Sequence, residues 1–181
     1  PLLTLLFPEQ QSAMVQTMLD MYRETGWLPK WELAGSETFM MVGDPAVPVI
    51  ADSYLKGICV TDSATVFSAI SAGATSAADS IRPGYRDLLH MGYIPVDQDT
   101  SQTWWVWGPV SSMLEYCLAD WTIARVAGSR GFTAAEQEFD RRSRLYASVF
   151  DRNTRFLRPR LRSGAWMTPF DPLATEGSGS W

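Results

Sequence analysis

VSSMLEYCLADWTIARVA, Val110–Ala127, is the stretch that decides the fold class. Met113, Leu114, Cys117, Leu118, Trp121 and Ala124 recur at helical intervals, which makes it the strongest helix in the chain. Glu115 and Asp120 lie on this otherwise apolar helix. Buried on both sides, such a helix must supply them with partners, so both read as structural acids rather than catalysts. Working outward, Thr133 is placed to cap a helix over Ala134–Phe150, with Glu136 at the capping-box position and Phe139, Leu145, Tyr146, Val149 and Phe150 as its apolar members. On the other side, Pro8–Tyr22 reads as a helix with Pro8 in its first turn and Gly26 as its stop. Ala46–Lys56 is a second helix and Tyr85–Met91 a short one ended by Gly92. Asp62 or Ser63 caps another that runs to about Ala78. Trp104–Trp107 is a short aromatic run compatible with extended backbone, and residues 153–181 read as loops with short extended pieces. There is no βαβ or alternating-strand pattern. The expected class is all-α, about six helices in antiparallel pairs with functional loops at one end, as in half of an (α/α)6 barrel; a small closed helical domain is the alternative.

Bulk composition narrows the function. At 181 residues, 46% hydrophobic and 19% charged, the chain is long and apolar enough for one domain with a core. A net charge of −5 argues against a general nucleic-acid binder. Arginines crowd the segment from Arg125 to Arg162, against Glu136, Glu138, Asp140 and Asp151. This reads as a solvated face whose arginines pair with acids elsewhere in a larger protein, ahead of an anion-binding face. Cys59 and Cys117 give no disulfide framework and pair only if the fold brings them together; Cys117, in the apolar helix, reads as a buried thiol. His90 is the one histidine, so a zinc site is not expected. No apolar run reaches the roughly 18 residues of a membrane span. The chain opens inside an apolar run, PLLTLLFPEQQ, and ends in EGSGSW, so it reads as an internal piece of a longer protein.

The chemistry concentrates in GWLPKWELAGSETFMMVGDPAVPVIADSYLKG, Gly26–Gly57. Loops longer than about a dozen residues are uncommon and usually functional. This one sets Trp27 and Trp31 beside Lys30, Glu32, Glu37 and Asp44. Indole faces cover the apolar face of a pyranose, and neighbouring acids take its hydroxyls or the glycosidic proton. Trp31 is therefore a candidate sugar platform, Glu37 a subsite ligand or a loop-fixing acid, and Lys30 a donor to sugar hydroxyls. Asp44 is read as the cap of the following helix. Asp52 and Lys56, four residues apart, form a helix-surface pair or sit at the mouth of a barrel. Trp104, Trp105 and Trp107 are read as packing residues.

These segments resemble glycoside hydrolase family 92, the calcium-dependent exo-α-mannosidases. The Gly26–Gly57 stretch is similar to that family's signature, and LEYCLADWTIARVA (Leu114–Ala127) resembles its Leu-Glu-Tyr-x-x-x-Asp-Trp helix. RRSRLYASVFDRNTRFLRPRLRSGAWMTPFDP (Arg141–Pro172) and PLLTLL (Pro1–Leu6) resemble its flanking stretches. The resemblance implies a section of an (α/α)6 catalytic domain, fronted in the whole protein by a β-sandwich domain. It implies inverting hydrolysis of terminal α-mannosides of glycans, with Ca²⁺ as cofactor and its ligands outside this chain. It also implies the rest of the parent polypeptide as a partner, neither nucleic acid nor membrane, and a secreted or periplasmic setting. The family's general acid lies in a Glu-Gly-x-x-Trp-Gln-Tyr motif, whereas here Glu176 opens Glu-Gly-Ser-Gly-Ser-Trp, with Trp181 one position late. Either Glu176 is the acid in a variant spacing, or the acid lies beyond residue 181. The competing readings are another (α/α)6 carbohydrate-active enzyme and a non-catalytic helical binding module.

Overall fold

The long apolar stretch forms one helix, Pro109–Ser129, and the other elements are arranged around it. The computed structural model describes residues 2–59, 61–76, 80–98, 106 and 108–173. Among these residues there are seven α-helices: α1 (Leu2–Leu6), α2 (Pro8–Thr25), α3 (Ala46–Leu55), α4 (Ser63–Thr75), α5 (Tyr85–Met91), α6 (Pro109–Ser129) and α7 (Thr133–Ser143). The strands are two short antiparallel ribbons, β1 (Glu32–Leu33) with β2 (Ser36–Glu37) and β3 (Phe150–Asp151) with β4 (Phe156–Leu157). The class is all-α.

Helix α6 packs against α3, α4 and α7, and it is buried on nearly every side. A helix apolar all round is an interior helix. Only a narrow stripe that includes Leu118 and Trp121 faces outward. The core joins Val15 and Leu19 of α2, Ile50 of α3, Val66 and Ile70 of α4, and Met113 and Ile123 of α6, none of them exposed. Each such side chain contributes about 1.5–3 kcal/mol by leaving water. A polar tie runs through the α2–α3 contact: buried Gln11 Nε2 donates to Ser53 Oγ (3.0 Å), which donates to Val49 O (2.8 Å).

Helix ends follow local chemistry, with four departures from expectation. Asp62 caps α4, its Oδ1 accepting from Thr65 N at 2.9 Å, and Gly26 ends α2 in the left-handed region at φ 82°. Asp44 does not cap α3, because Pro45 stands in the cap position and no side chain bonds there. Thr133 is the first helical residue of α7 rather than its cap, which is Phe132. The capping box does not form; a Cβ on Gly128 would lie 2.6 Å from Glu136 Oε1, so this acid packs against α6 instead. The expected helix over Ala134–Phe150 stops at Ser143 and tightens into a 3-10 turn, Leu145–Val149. Bonds there run three residues back, from Ala147 N to Arg144 O at 3.2 Å, and the change of pitch accompanies full burial of Val149. The aromatic run with Trp104, Trp105 and Trp107 lies outside the described residues. Cys59 and Cys117 are both free. Burial pushes the Cys117 thiol up to about 11.

The arginine-rich segment finds its partners inside the chain. Arg125 and Arg144 both reach Asp140 (2.9 and 2.8 Å), Arg158 reaches Asp151 (3.0 Å) and Arg162 reaches Asp87 (2.7 Å). Arg141 donates twice to Glu138, at 2.9 Å each, and Arg142 Nε donates once at 2.7 Å. These bonds, those from Arg141 foremost, hold the Glu138 carboxyl down at about 2 against an ordinary value of 4.5. The stabilisation is complete above pH 4.5 and is lost as pH falls toward about 2, because the native state resists the proton that the unfolded chain accepts. Denaturant titrations across that interval should show a shallower acid loss of stability for Glu138→Gln than for the parent sequence.

Candidate functional site

The loop between α2 and α3 is held by one carboxylate. Glu37 accepts from the backbone N–H groups of Lys30 (2.6 Å), Trp31 (3.2 Å) and Phe39 (2.8 Å). Burial opposes ionisation of Glu37, but these donations outweigh it and hold the carboxyl below its ordinary range. Thr38 adds a second clasp, with Oγ1 donating to Trp31 O at 2.8 Å. Strands β1 and β2 are joined by Ala34 and Gly35, both at positive φ (51° and 79°), the geometry of a two-residue primed turn. Phe39, at φ 55°, is held in the left-handed region beside the same carboxylate. Trp31 emerges from this braced loop 48% exposed.

The adjacent residue, Lys30, turns inward. Its side chain is 3% exposed, and Nζ lies 3.5 Å from Asp44 Oδ1. Burial pulls its amine below the ordinary lysine range; Asp44 opposes that shift and Arg82 adds to it. Asp44 Oδ2 accepts from Arg82 Nε at 2.5 Å, and Arg82 Nη1 donates to Asp120 Oδ1 at 2.6 Å. Tyr85 Oη donates to Asp120 Oδ2 (2.9 Å) and receives a bond from Arg142 Nη1 (3.1 Å). The Arg82 guanidinium also packs on two rings, 4.6 Å from the Tyr85 centroid and 5.2 Å from that of Tyr116. Burial alone would favour neutral Arg82, but the two carboxylates hold it charged and push its pKa well above the ordinary range. The result is a buried relay of alternating charge, Lys30–Asp44–Arg82–Asp120. It ties the loop and the start of α3 to the middle of α6.

The predicted site residues are therefore brought together in part. Lys30, Trp31 and Glu37 share the braced loop, with Lys30 inside, Trp31 outside and the Glu37 carboxylate engaged by backbone. Asp52 and Lys56 pair with each other at 2.7 Å on exposed surface, about 10–15 Å along α3 from its loop end at 1.5 Å per residue. Among the described residues no hydrogen bond or ion pair links either side chain to the loop. Glu176 lies outside the described residues. Arg82, which joins the whole relay, carried no periodicity or motif of its own. The one signal for it was Asp120, an acid on an apolar helix that required a buried cation. Among the described residues no three His, Cys, Asp or Glu side chains are placed to hold a metal ion. Asp44 and Asp120 already engage cationic side chains, so these residues do not make a calcium site.

Residues 1–181 match the model of the glycosyl hydrolase family 92 catalytic domain. The chain belongs to glycosyl hydrolase family 92. Solved structures agree. An inverting mannosidase of family GH92 from Bacteroides thetaiotaomicron superposes with a TM-score of 0.83 at 27% identity, over 94% of this chain and 23% of that one. A family GH92 α-mannosidase from the same organism, in complex with mannoimidazole, gives 0.83 at 30% identity over 98% of this chain and 22% of its own. A second structure of that α-mannosidase gives 0.81 at 30% identity over 98% of this chain and 23% of its own. The family GH92 segment thus spans under a quarter of each of these proteins. No curated relative matches it by sequence. Within this segment the ion-pair relay anchors the loop to α6. Arg82→Met strands two buried carboxylates and should cost about 3–5 kcal/mol of unfolding free energy by denaturant titration.

Proposed function

We propose that this chain is a section of the catalytic domain of an inverting, calcium-dependent exo-α-mannosidase that acts on terminal α-mannosides of glycans. In this reading the rest of the parent polypeptide completes an (α/α)6 barrel and supplies the calcium ligands. The observation that carries the reading is the family match across residues 1–181. The structural neighbours support it, since one is an inverting mannosidase and the other an α-mannosidase seen with mannoimidazole. A secreted or periplasmic setting follows from the same family likeness.

Single-displacement chemistry needs a carboxylic acid at the leaving oxygen and a carboxylate that activates water on the opposite face, about 6.5–9.5 Å apart. We assign the acid to Glu176 or to a carboxyl beyond residue 181, and the base to the parent beyond this segment. This chain's own contribution is positional. Trp31 offers an indole face at fixed height, and the Glu37 carboxylate keeps the backbone under it from moving. An aromatic face held in advance gives up little freedom when a sugar docks.

The full-length parent should release free mannose from α-mannosides, with the β-anomer appearing first by NMR, and a chelator should abolish release until calcium is restored. Release of the α-anomer first, or indifference to the chelator, would refute this assignment. In the same parent, Trp31→Ala should lower kcat/KM about ten-fold, which corresponds to about 1.4 kcal/mol.

A further inference from the structure

Lys30 Nζ is buried, yet among the described residues it finds no hydrogen-bond acceptor. It stands with Asp44 in the wall of a recess that Trp27, Leu28, Phe39 and Gly73 also line. The recess measures about 20 Å³, against about 10–15 Å³ for seating a single water on the same scale. That is room for one oxygen atom with its hydrogens and far too little for a pyranose ring. Gly73 keeps it open, since a Cβ there would lie 3.0 Å from Ile81 Cγ2 and 3.5 Å from Asp44 Oδ2.

Charge decides what fits. Lys30 and Arg82 are balanced by Asp44 and Asp120, so an added anion would leave uncompensated buried negative charge. An added cation would meet the Lys30 ammonium directly. A neutral hydroxyl-type oxygen accepts the idle N–H of Lys30 and brings no charge. We infer that this recess is a binding site for one neutral oxygen, either a water molecule or a single hydroxyl of a docked sugar, with Lys30 Nζ as its donor. On this assignment Lys30 touches a carbohydrate through no more than one hydroxyl. The sugar source rests on the mannosidase reading and the water source does not.

Crystals of the full-length parent, free and soaked in mannose, separate the sources. An oxygen within about 3 Å of Lys30 Nζ in the free crystals identifies water. The same oxygen present only after the soak, and continuous with the ring, identifies a sugar hydroxyl. A recess empty in both, or filled by an ion that bromide replaces with an anomalous signal, overturns the inference. Lys30→Met, close to lysine in length, should remove the ordered oxygen from whichever crystal held it. If that variant does not fold, Gly73→Ala tests the same site by adding a methyl group beside Asp44 and should displace the oxygen. Persistence of the oxygen in a folded variant also overturns the inference. Mannose release by the same preparation distinguishes the two failures. Activity with an empty recess rejects this site alone, and an ordered water without activity rejects only the mannosidase reading.

Discussion

The Arg82 guanidinium sits between two carboxylates and beside two tyrosine rings, and the geometry of the aromatic loop depends on that arrangement. Asp44 stands at the entrance to α3 and Asp120 in the middle of α6, each 38 residues from Arg82 in opposite directions along the chain. One side chain therefore fixes three distant segments at a point where apolar packing alone leaves orientation free. Tyr85 and Tyr116 meet edge to face, with centroids 5.7 Å apart, and their rings shield the ion pairs from water. Shielding strengthens the attraction and raises the cost of any missing partner together. The cluster thus specifies a unique arrangement more than it adds net stability.

A rigid interior gives the exposed part of the loop its precision. Lys30 anchors the inner side through Asp44, and Glu37 gathers three backbone N–H groups on the outer side. Positive φ is tolerated at Ala34 in the β1–β2 turn and at Phe39, whose N–H donates to Glu37. Trp31 is consequently half-exposed without being loose. The C-terminal arginines follow a similar logic on the surface. Arg158 bonds Asp151 and the carbonyl of Met167 together, and Arg160 stacks 4.0 Å over Trp166. Charges there hold irregular backbone in place of a helix or sheet ladder.

The sequence disclosed the elements whose signals are local. Helical intervals in α2 and α6, glycine after α2 and α5, and Asp62 before α4 all act within a turn or two, and they placed those helices well. The all-α class followed from them, while the family likeness rested on whole segments such as Gly26–Gly57 and Leu114–Ala127. The sequence also singled out the loop as chemically dense, and its acids turn out to brace it: Glu37 gathers backbone N–H groups and Asp44 pairs with Lys30 and Arg82. What stayed hidden depended on contacts between distant segments. Asp44 looked like a cap because an acid before a helix usually is one, but Pro45 took that position and Arg82 claimed the carboxylate. Thr133 and Glu136 matched a capping box, yet Glu136 packs against the backbone at Gly128. The apolar pattern through Val149 and Phe150 ran on past Ser143, and it did not disclose the tighter pitch in which Val149 is buried. Asp52 and Lys56, four residues apart, form the helix-surface pair that their spacing allowed.

Lys30 and Trp31 are consecutive, and they project to opposite sides of the loop. Their division of labour is therefore sensitive to length at a resolution of one residue. An insertion between Gly26 and Lys30 would have to be absorbed between the end of α2 and the first residue that Glu37 holds, where both side chains take their places. The Ala34–Gly35 tip lies beyond the clasps and bears neither duty. Added length in this loop is therefore least disruptive at that tip, where it meets neither anchor.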